Sequence, residues 1–210
     1  MALVSAHRRD SDDEPTALAR ALSTGAEYVE LDIRRGPAGD LLVSHDRLTG
    51  IPRTGVLDAL KLLQGRAKAH LDLKEEGHEL TVVEMTEEIM GPGNYVVTTK
   101  SPRSIRTIKD ARPEVHCALS VGRSFWERGF VSDIGPVNRI RACGADWVAL
   151  NYRLAGLGVL DRCAKAGFPA MLWTINDLPT IRRYIHDPRV AVLITDRPAE
   201  ALALRLSTRG

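Results

Sequence analysis

The chain has 210 residues, 44% of them hydrophobic and 27% charged, which is an ordinary balance for a folded protein with one sizeable core. The formal net charge is only +2 and aromatic residues make up 5%, which argues against a nucleic-acid-binding surface of basic patches or stacked bases. Since no apolar run reaches membrane-spanning length and the first residues are too few for a secretory signal, we expect a cytoplasmic protein without a transmembrane segment.

Short apolar runs rich in β-formers alternate with amphipathic helical patterns along the chain. Strands are predicted at 3–7, 28–34, 69–74, 95–100, 115–122, 147–151, 170–174 and 190–195. Helices are predicted at 14–23, 56–63, 80–90, 102–110, 137–143, 157–166, 179–185 and 199–206. Eight alternating units favour a (β/α)8 TIM barrel over an open doubly wound sheet, whose first turn is normally rich in glycine. We expect one compact α/β barrel domain spanning residues 1–210.

One segment departs from this alternation. Residues 40–44 form a short apolar run directly after a turn rich in glycine and proline. This pattern predicts a hairpin extension of the second strand. The hairpin would return His45 to the mouth of the barrel.

Acidic side chains recur on two successive predicted strands. Glu30 and Asp32 are two residues apart and therefore face the same side of their strand, and Asp72 and Lys74 repeat this spacing on the next strand. Carboxylates that project together into a barrel repel one another unless a cation neutralises them. Three such groups form a site of hard oxygen ligands that suits Mg²⁺ or Ca²⁺.

Ion pairs within the sheet are the alternative interpretation of these carboxylates. Each acidic residue has basic neighbours close to it in the sequence, and pairing with them would need no metal. The pairings that remain open are Glu30 or Asp32 with Arg34 or Arg35, and Asp72 with Lys68 or Lys74.

Two histidines are predicted to reach the same mouth. His7 ends the first strand beside Arg8, and His45 arrives from the hairpin beside Asp46. Near a phosphodiester, one imidazole can remove a proton from the attacking hydroxyl while the other donates one to the leaving alkoxide. The guanidinium of Arg8 suits phosphate oxygens, and Asp46 either orients an imidazole or caps a turn. The remaining histidines are expected to be structural or at the surface: His70, His78, His116 and His186.

Several motifs, taken in order, resemble those of the glycerophosphodiester phosphodiesterase family. The similarity covers almost the whole chain, from the first predicted strand to the last. The motifs are VSAHR at 4–8, EPT at 14–16, GAEYVELD at 25–32, VSHD at 43–46, WTIN at 173–176 and ITDRP at 194–198.

This resemblance implies a TIM-barrel hydrolase that requires a divalent metal, Mg²⁺ or Ca²⁺, and acts on a small phosphoester. It implies a reaction in which a neighbouring substrate hydroxyl attacks phosphorus, a cyclic phosphate forms, and water opens the ring. The implied roles are acid/base catalysis for His7 and His45, metal binding for Glu30, Asp32 and Asp72, phosphate contact for Arg8 and Lys74, a pocket wall for Trp173, and support of the site for Glu14 and Asp46.

The chain also departs from the family pattern. Arg9 stands where the family usually has glycine, Pro15 where it has asparagine, and Asp72 where it typically has glutamate. The related sphingomyelinase D group also has an Asp-Leu-Lys element, so aspartate at this position is compatible with metal binding. The short interval between Asp46 and Asp72 leaves little room for the insertion that usually helps to cover the substrate in this family.

The leading hypothesis is a metal-dependent phosphodiesterase that acts on a glycerophosphodiester or lysophospholipid-like substrate. The truncated insertion and Arg9 leave open a specialised enzyme for another phosphate or diphosphate ester, with intramolecular cyclisation in place of hydrolysis. A barrel that binds a phosphoester without turnover is the alternative from another class, motivated by Arg9, Pro15 and Asp72.

Overall fold

In the computed structural model, eight parallel strands close into a barrel and a further strand pairs antiparallel at its rim. The structure describes residues 1–7, 14–45, 54–122 and 130–207. The strands are β1 Leu3–Ala6, β2 Tyr28–Arg35, β3 Leu41–Val43, β4 Lys68–Leu73, β5 Tyr95–Thr99, β6 Cys117–Val121, β7 Trp147–Asn151, β8 Ala170–Trp173 and β9 Val190–Thr195. The helices are α1 Glu14–Ser23, α2 Val56–Leu63, α3 Glu79–Met90, α4 Pro102–Ala111, α5 Phe130–Ile134, α6 Val137–Cys143, α7 Tyr152–Ala155, α8 Val159–Lys165, α9 Leu178–Tyr184 and α10 Pro198–Ser207.

Neighbouring barrel strands follow one another around the ring, and β1 closes it by pairing with both β9 and β2. The predicted TIM barrel is therefore confirmed. β3 pairs antiparallel with the end of β2, which confirms the predicted hairpin. These connections bring the carboxyl ends of all the parallel strands to one rim, the end at which barrels of this fold carry their sites.

The strand residues alternate between two apolar environments. On β2, Leu31 and Ile33 are fully buried in the main core, which lies between the sheet and the surrounding helices. Tyr28 belongs instead to a second apolar cluster that includes Met171 and Ile194 from β8 and β9. Since successive side chains point to opposite faces, Glu30 shares the inward face with Tyr28.

Two helices were not predicted from the sequence. α5 and α7 span only 5 and 4 residues, which is too short for helical periodicity to be recognised. Capping defines the second of them, because the side chain of Asn151 accepts a hydrogen bond from the backbone N–H of Arg153 at 3.0 Å. Most other predicted boundaries differ from the observed ones by one or two residues, as frayed ends normally do. None of the described helices is long and apolar enough to cross a lipid bilayer.

Glu27 links β1 to α10 at the amino-terminal end of the barrel. Its carboxylate accepts hydrogen bonds from the backbone N–H of Val4 at 2.9 Å and from Arg205 of α10 at 2.7 Å. Arg205 also donates to the carbonyl of Ala2 at 3.2 Å. Burial would raise the pKa of Glu27, but these donors outweigh it and lower the pKa below its ordinary value.

The Glu27→Gln variant is expected to lose about 1–3 kcal/mol of unfolding free energy, because an amide replaces a charged acceptor of two donors. Urea denaturation at pH 7 measures the difference, with the exposed Glu88→Gln as the control. Since the folded-state pKa is lowered, the stabilisation is present above the ordinary glutamate pKa of about 4.3 and disappears as the pH falls through the lower folded-state value. Equal stability of the two variants at pH 7 would contradict this role.

Candidate active site

The carboxyl ends of the strands open onto a cleft of about 1090 Å³. Its base is lined by His7 after β1, Glu30 on β2, His45 after β3, Asp72 on β4 and Trp173 on β8. Side chains from distant parts of the sequence therefore meet in one cavity. This position at the carboxyl-terminal rim is where a TIM barrel holds its reacting groups.

The three predicted metal-binding carboxylates lie together. Glu30, Asp32 and Asp72 each offer an oxygen, and these oxygens lie within 4.8 Å of one another. The register explains the arrangement, because β2 and β4 pair Asp32 directly with Asp72. Glu30 lies two residues earlier on the same face. Glu30 and Asp32 are buried and Asp72 is half-buried.

Lys74 takes a position that sequence reasoning left open. Its ammonium forms ion pairs with Asp32, at 2.6 Å, and with Asp72. Thr98 of β5 donates a second hydrogen bond to Asp72 at 2.7 Å. Burial opposes protonation of Lys74, but the two carboxylates outweigh it and raise its pKa above the ordinary value. The predicted alternative, an ion pair between Asp72 and Lys74, is therefore present.

Two other candidate ion-pair partners, Arg34 and Arg35, contact groups outside the acidic cluster. Arg34 pairs with Glu75 at 2.9 Å and donates to the carbonyl of His45 at 3.1 and 3.2 Å. Arg35 donates to the carbonyl of Gly77. The interaction of Arg34 fixes the end of the hairpin on which His45 lies.

The acidic cluster carries more negative charge than Lys74 neutralises. Burial, together with the charges of Asp32 and Asp72, raises the pKa of Glu30 to about 8. Burial acts in the same direction on Asp32, but Lys74 outweighs it and lowers the pKa of that carboxyl. A buried group of hard oxygen donors with excess negative charge fits a divalent cation such as Mg²⁺ or Ca²⁺.

The two predicted acid/base histidines face each other across the mouth. The ring centroids of His7 and His45 are 6.1 Å apart, with an interplanar angle of 88°. The backbone N–H of His7 donates to the carbonyl of Thr195 at 2.9 Å, which continues the β1–β9 ladder. The Nδ1 of His7 donates to Asp196 at 2.6 Å, so Nε2 is the nitrogen available for proton transfer to a ligand.

Asp196 belongs to the ITDRP motif at 194–198, but the sequence alone did not indicate a role for it. It follows β9, and its carboxylate also accepts a 2.5 Å hydrogen bond from the side chain of Asn176. Burial would lower the pKa of His7, but the hydrogen bond to Asp196 and the charge of Glu30 outweigh it and raise the pKa to about 9. Asp196 is therefore a positioning residue that fixes the tautomer and orientation of the His7 imidazole.

The Asp196→Asn variant is expected to lower the pKa of His7 from about 9 toward the ordinary value of about 6.5, because the carboxylate that favours the imidazolium is lost. An NMR titration of the His7 ring in the metal-free protein measures the shift. The exposed Asp110→Asn is the control and should leave the titration unchanged. A His7 pKa that is the same in both variants would exclude this role for Asp196.

His70 forms part of the floor of the cleft. It is fully buried, with Nδ1 at 3.1 Å from Ser5 and Nε2 at 3.0 Å from Thr98. Burial lowers its pKa to about 4, so the ring is neutral at physiological pH. The sequence predicted a structural or surface histidine. Because His70 lies two residues before Asp72 on β4, strand alternation could have placed it beside the cluster.

Trp173 lines one side of the cleft and is half-buried. Its indole passes close to the backbone at Gly122, where an added Cβ would lie 2.7 Å from the ring and 2.5 Å from Asn151. Only glycine therefore fits at this position without displacing the indole. Within the described segments, the Nε1 of Trp173 has no hydrogen-bond partner.

Three predicted site residues lie wholly or in part outside the described residues. Arg8 and Asp46 lie outside the described residues, as do Arg9 and the segment that follows the hairpin. Glu14 begins α1, but its side chain is also outside the description. Their expected roles remain predictions.

The fold matches several solved structures across nearly its whole length. A glycerophosphodiester phosphodiesterase from Parabacteroides distasonis is 15% identical, with a TM-score of 0.80 and coverage of 100% of this chain and 98% of that one. The enzyme of the same name from Thermotoga maritima is 20% identical, with a TM-score of 0.77 and coverage of 98% and 99%. A phosphodiesterase from Oleispira antarctica, solved with the product sn-glycerol-3-phosphate, is 17% identical, with a TM-score of 0.75 and coverage of 96% of each chain.

Comparison of the sequence alone does not identify a family. No protein-family model and no curated protein matches the chain. The structural similarity shows that this chain has the fold of glycerophosphodiester phosphodiesterases, as its motifs predicted. Solved structures at these identities share the fold, and the chemistry depends on the residues of the site itself.

Proposed function

We propose that this protein is a metal-dependent phosphodiesterase that cleaves a small glycerophosphodiester or lysophospholipid-like diester. The observation that carries the proposal is the pair of imidazoles, 6.1 Å apart, in the same cleft as three clustered carboxylates. Proton-transfer groups and a hard cation site are the two requirements for moving a phosphoryl group between oxygens. The shared fold supports the same reaction class.

Glu30, Asp32 and Asp72 would hold the divalent cation, which when bound neutralises charge on the phosphate oxygens. Lys74 adds a positive charge to the same cluster. Because it already pairs with Asp32 and Asp72, its first effect is to neutralise part of the negative charge of the cluster. Its ammonium lines the cleft as well, so it can also contact a phosphate oxygen.

His7 and His45 would carry the protons. One imidazole removes the proton from the attacking hydroxyl and the other donates one to the leaving alkoxide. The bond from Nδ1 of His7 to Asp196 directs Nε2 toward the substrate. With a glycerol phosphodiester, the adjacent hydroxyl of the glycerol would attack phosphorus, the second alcohol would leave, and water would then open the cyclic phosphate.

The glycerol moiety would lie beside Trp173. The Oleispira phosphodiesterase holds sn-glycerol-3-phosphate, and this chain matches its fold over nearly the full length. In this cleft, Trp173 offers an apolar surface beside the polar base, which suits the carbon skeleton of a glycerol or of a short acyl-glycerol.

The test is a panel of phosphodiesters incubated with the protein and Mg²⁺ or Ca²⁺, with the phosphorus-containing products identified by ³¹P NMR. We expect cleavage of at least one glycerophosphodiester, release of a glycerol phosphate or its cyclic form, and loss of activity in EDTA. A diphosphate ester in the panel distinguishes the specialised alternative. Binding of phosphodiesters without any product would support a non-catalytic barrel and would overturn the proposal.

A further inference from the structure

The cleft continues beyond the acidic cluster, along the start of α4 and toward α6. Four basic residues line this outer arm: Lys100 before α4, Arg103 and Arg106 on α4, and Arg139 on α6. Two helices that pack side by side therefore supply cations to one wall of the same cavity. Solvated arginines on separate surfaces would not share a cavity in this way.

Two of the four cations of the outer arm are not neutralised by the described residues. Lys100 and Arg106 make no hydrogen bond or ion pair with any residue that the structure describes. Arg103 lies 3.9 Å from Glu76, and both side chains are largely exposed. The hydroxyl of Ser101 donates to the same Glu76 at 2.5 Å, so this carboxylate is shared between Arg103 and a neutral donor.

Hydrogen bonds to α5 hold the side chain of Arg139 in place. One of its terminal nitrogens donates to Asp133 at 2.7 Å and to the hydroxyl of Ser132 at 3.0 Å. Asp133 is 1% exposed and also accepts from the backbone N–H of Gly122 at 3.1 Å. The guanidinium of Arg139 is therefore fixed against a buried carboxylate while it lines the cleft, so ligand binding orders few additional groups.

We propose that this outer arm is a second anion-binding subsite, which receives a phosphate monoester carried by the alcohol portion of the substrate. The inference rests on the proposed function, because it assigns the phosphodiester to the histidines and the acidic cluster, and the second phosphate to Lys100, Arg106 and Arg139. Arginine guanidinium groups match the geometry of phosphate oxygens through paired N–H donors. The preferred substrate is accordingly a diester with two separate phosphorus centres.

A matched pair of substrates tests the selectivity. One is a glycerophosphodiester whose alcohol ends in a phosphate, and the other is the same diester with a hydroxyl at that position. We expect the wild-type protein to prefer the phosphorylated diester in kcat/KM by at least about tenfold, and Arg106→Gln to lower this ratio by about tenfold, mainly through KM. The control is Arg66→Gln, an exposed arginine in the turn before β4 at the opposite end of the barrel, which should leave the ratio unchanged.

A binding measurement separates this inference from the proposed function. Calorimetric titration of inorganic pyrophosphate in EDTA reports the subsite without turnover. We expect similar affinity in the wild-type protein and Arg66→Gln, and at least about tenfold weaker binding in Arg106→Gln and Lys100→Gln. If no diester is cleaved but this pattern is found, the subsite stands and the proposed function fails. Equal affinity in Arg106→Gln and Arg66→Gln, or an unchanged substrate ratio in Arg106→Gln, would overturn the inference.

Discussion

Replacing Glu30 with glutamine is expected to remove divalent-cation binding and to lower kcat/KM by about 10³ or more. The cluster would have a neutral amide in place of a group that can bind the ion as a charged carboxylate, an effect of several kcal/mol on a reaction assisted by a metal. Asp72→Asn should act in the same direction, because it removes the charge of a second ligand. Activity against a cleaved phosphodiester measures the effect on turnover.

Thermal unfolding measures the same effect without turnover. A cation present at about 100 times its dissociation constant adds about 2.7 kcal/mol to the stability of the folded protein, or about 5–10 °C in Tm for a chain of this size. The wild-type protein and the exposed control Glu84→Gln should show this rise with Mg²⁺ or Ca²⁺, and Glu30→Gln should not. Full activity in EDTA, or a cation-induced rise in Tm that survives Glu30→Gln, would refute the metal assignment.

Glutamine at position 30 is a suitable probe because the cation-free fold should tolerate it. Burial and two neighbouring carboxylates raise the pKa of Glu30 to about 8, so in the absence of a cation this carboxyl is largely protonated at neutral pH. An amide has nearly the same shape and charge as that protonated form. A loss of cation binding in the variant therefore reports the missing ligand rather than an altered barrel.

The barrel and the acidic cluster were predictable from local patterns. Strand–helix alternation fixed the number of units, and a period of two placed Glu30 and Asp32 on one face. The pairing of Asp32 with Asp72 followed once the strands were taken as neighbours in register. These inferences depend on backbone geometry, which repeats regularly along the sequence.

The position of Lys74 could not be obtained in this way. Its side chain can reach several partners, and the choice depends on the net charge of a buried cluster that forms only in the folded chain.

The hydrogen bond between His7 and Asp196 spans 189 positions in the sequence. A signal for it did exist, because barrel closure pairs β1 with β9, and each residue directly follows one of those two strands.

The outer arm of the cleft could not be predicted from the sequence for a different reason. Arg106 and Arg139 lie on helices, where a lone arginine normally indicates a solvated surface. Only the packing of α4 beside α6 shows that their side chains line one cavity. The small-residue and short-helix features nearby, such as Gly122 and α5, also have no periodic signature in the sequence.

Replacing His7 or His45 with alanine is expected to lower kcat by about 10²–10⁴ while the fold is retained, because each variant removes one proton-transfer group. Circular dichroism and urea denaturation check the fold, and initial rates on a cleaved phosphodiester give the effect. The exposed His116→Ala, in the turn before β6, is the matched control. A near-normal rate in either catalytic variant would remove that residue from the acid/base pair.

The double variant then tests whether the two imidazoles act as a unit. Groups that serve one transition state are strongly non-additive, so the loss in the double variant should be close to the larger single loss rather than to the product of the two. Their separation of 6.1 Å between ring centroids is short enough for one phosphodiester to contact both. Fully multiplicative losses would mean that His7 and His45 lower the rate-limiting barrier independently of one another, which would contradict a pair that acts as a unit.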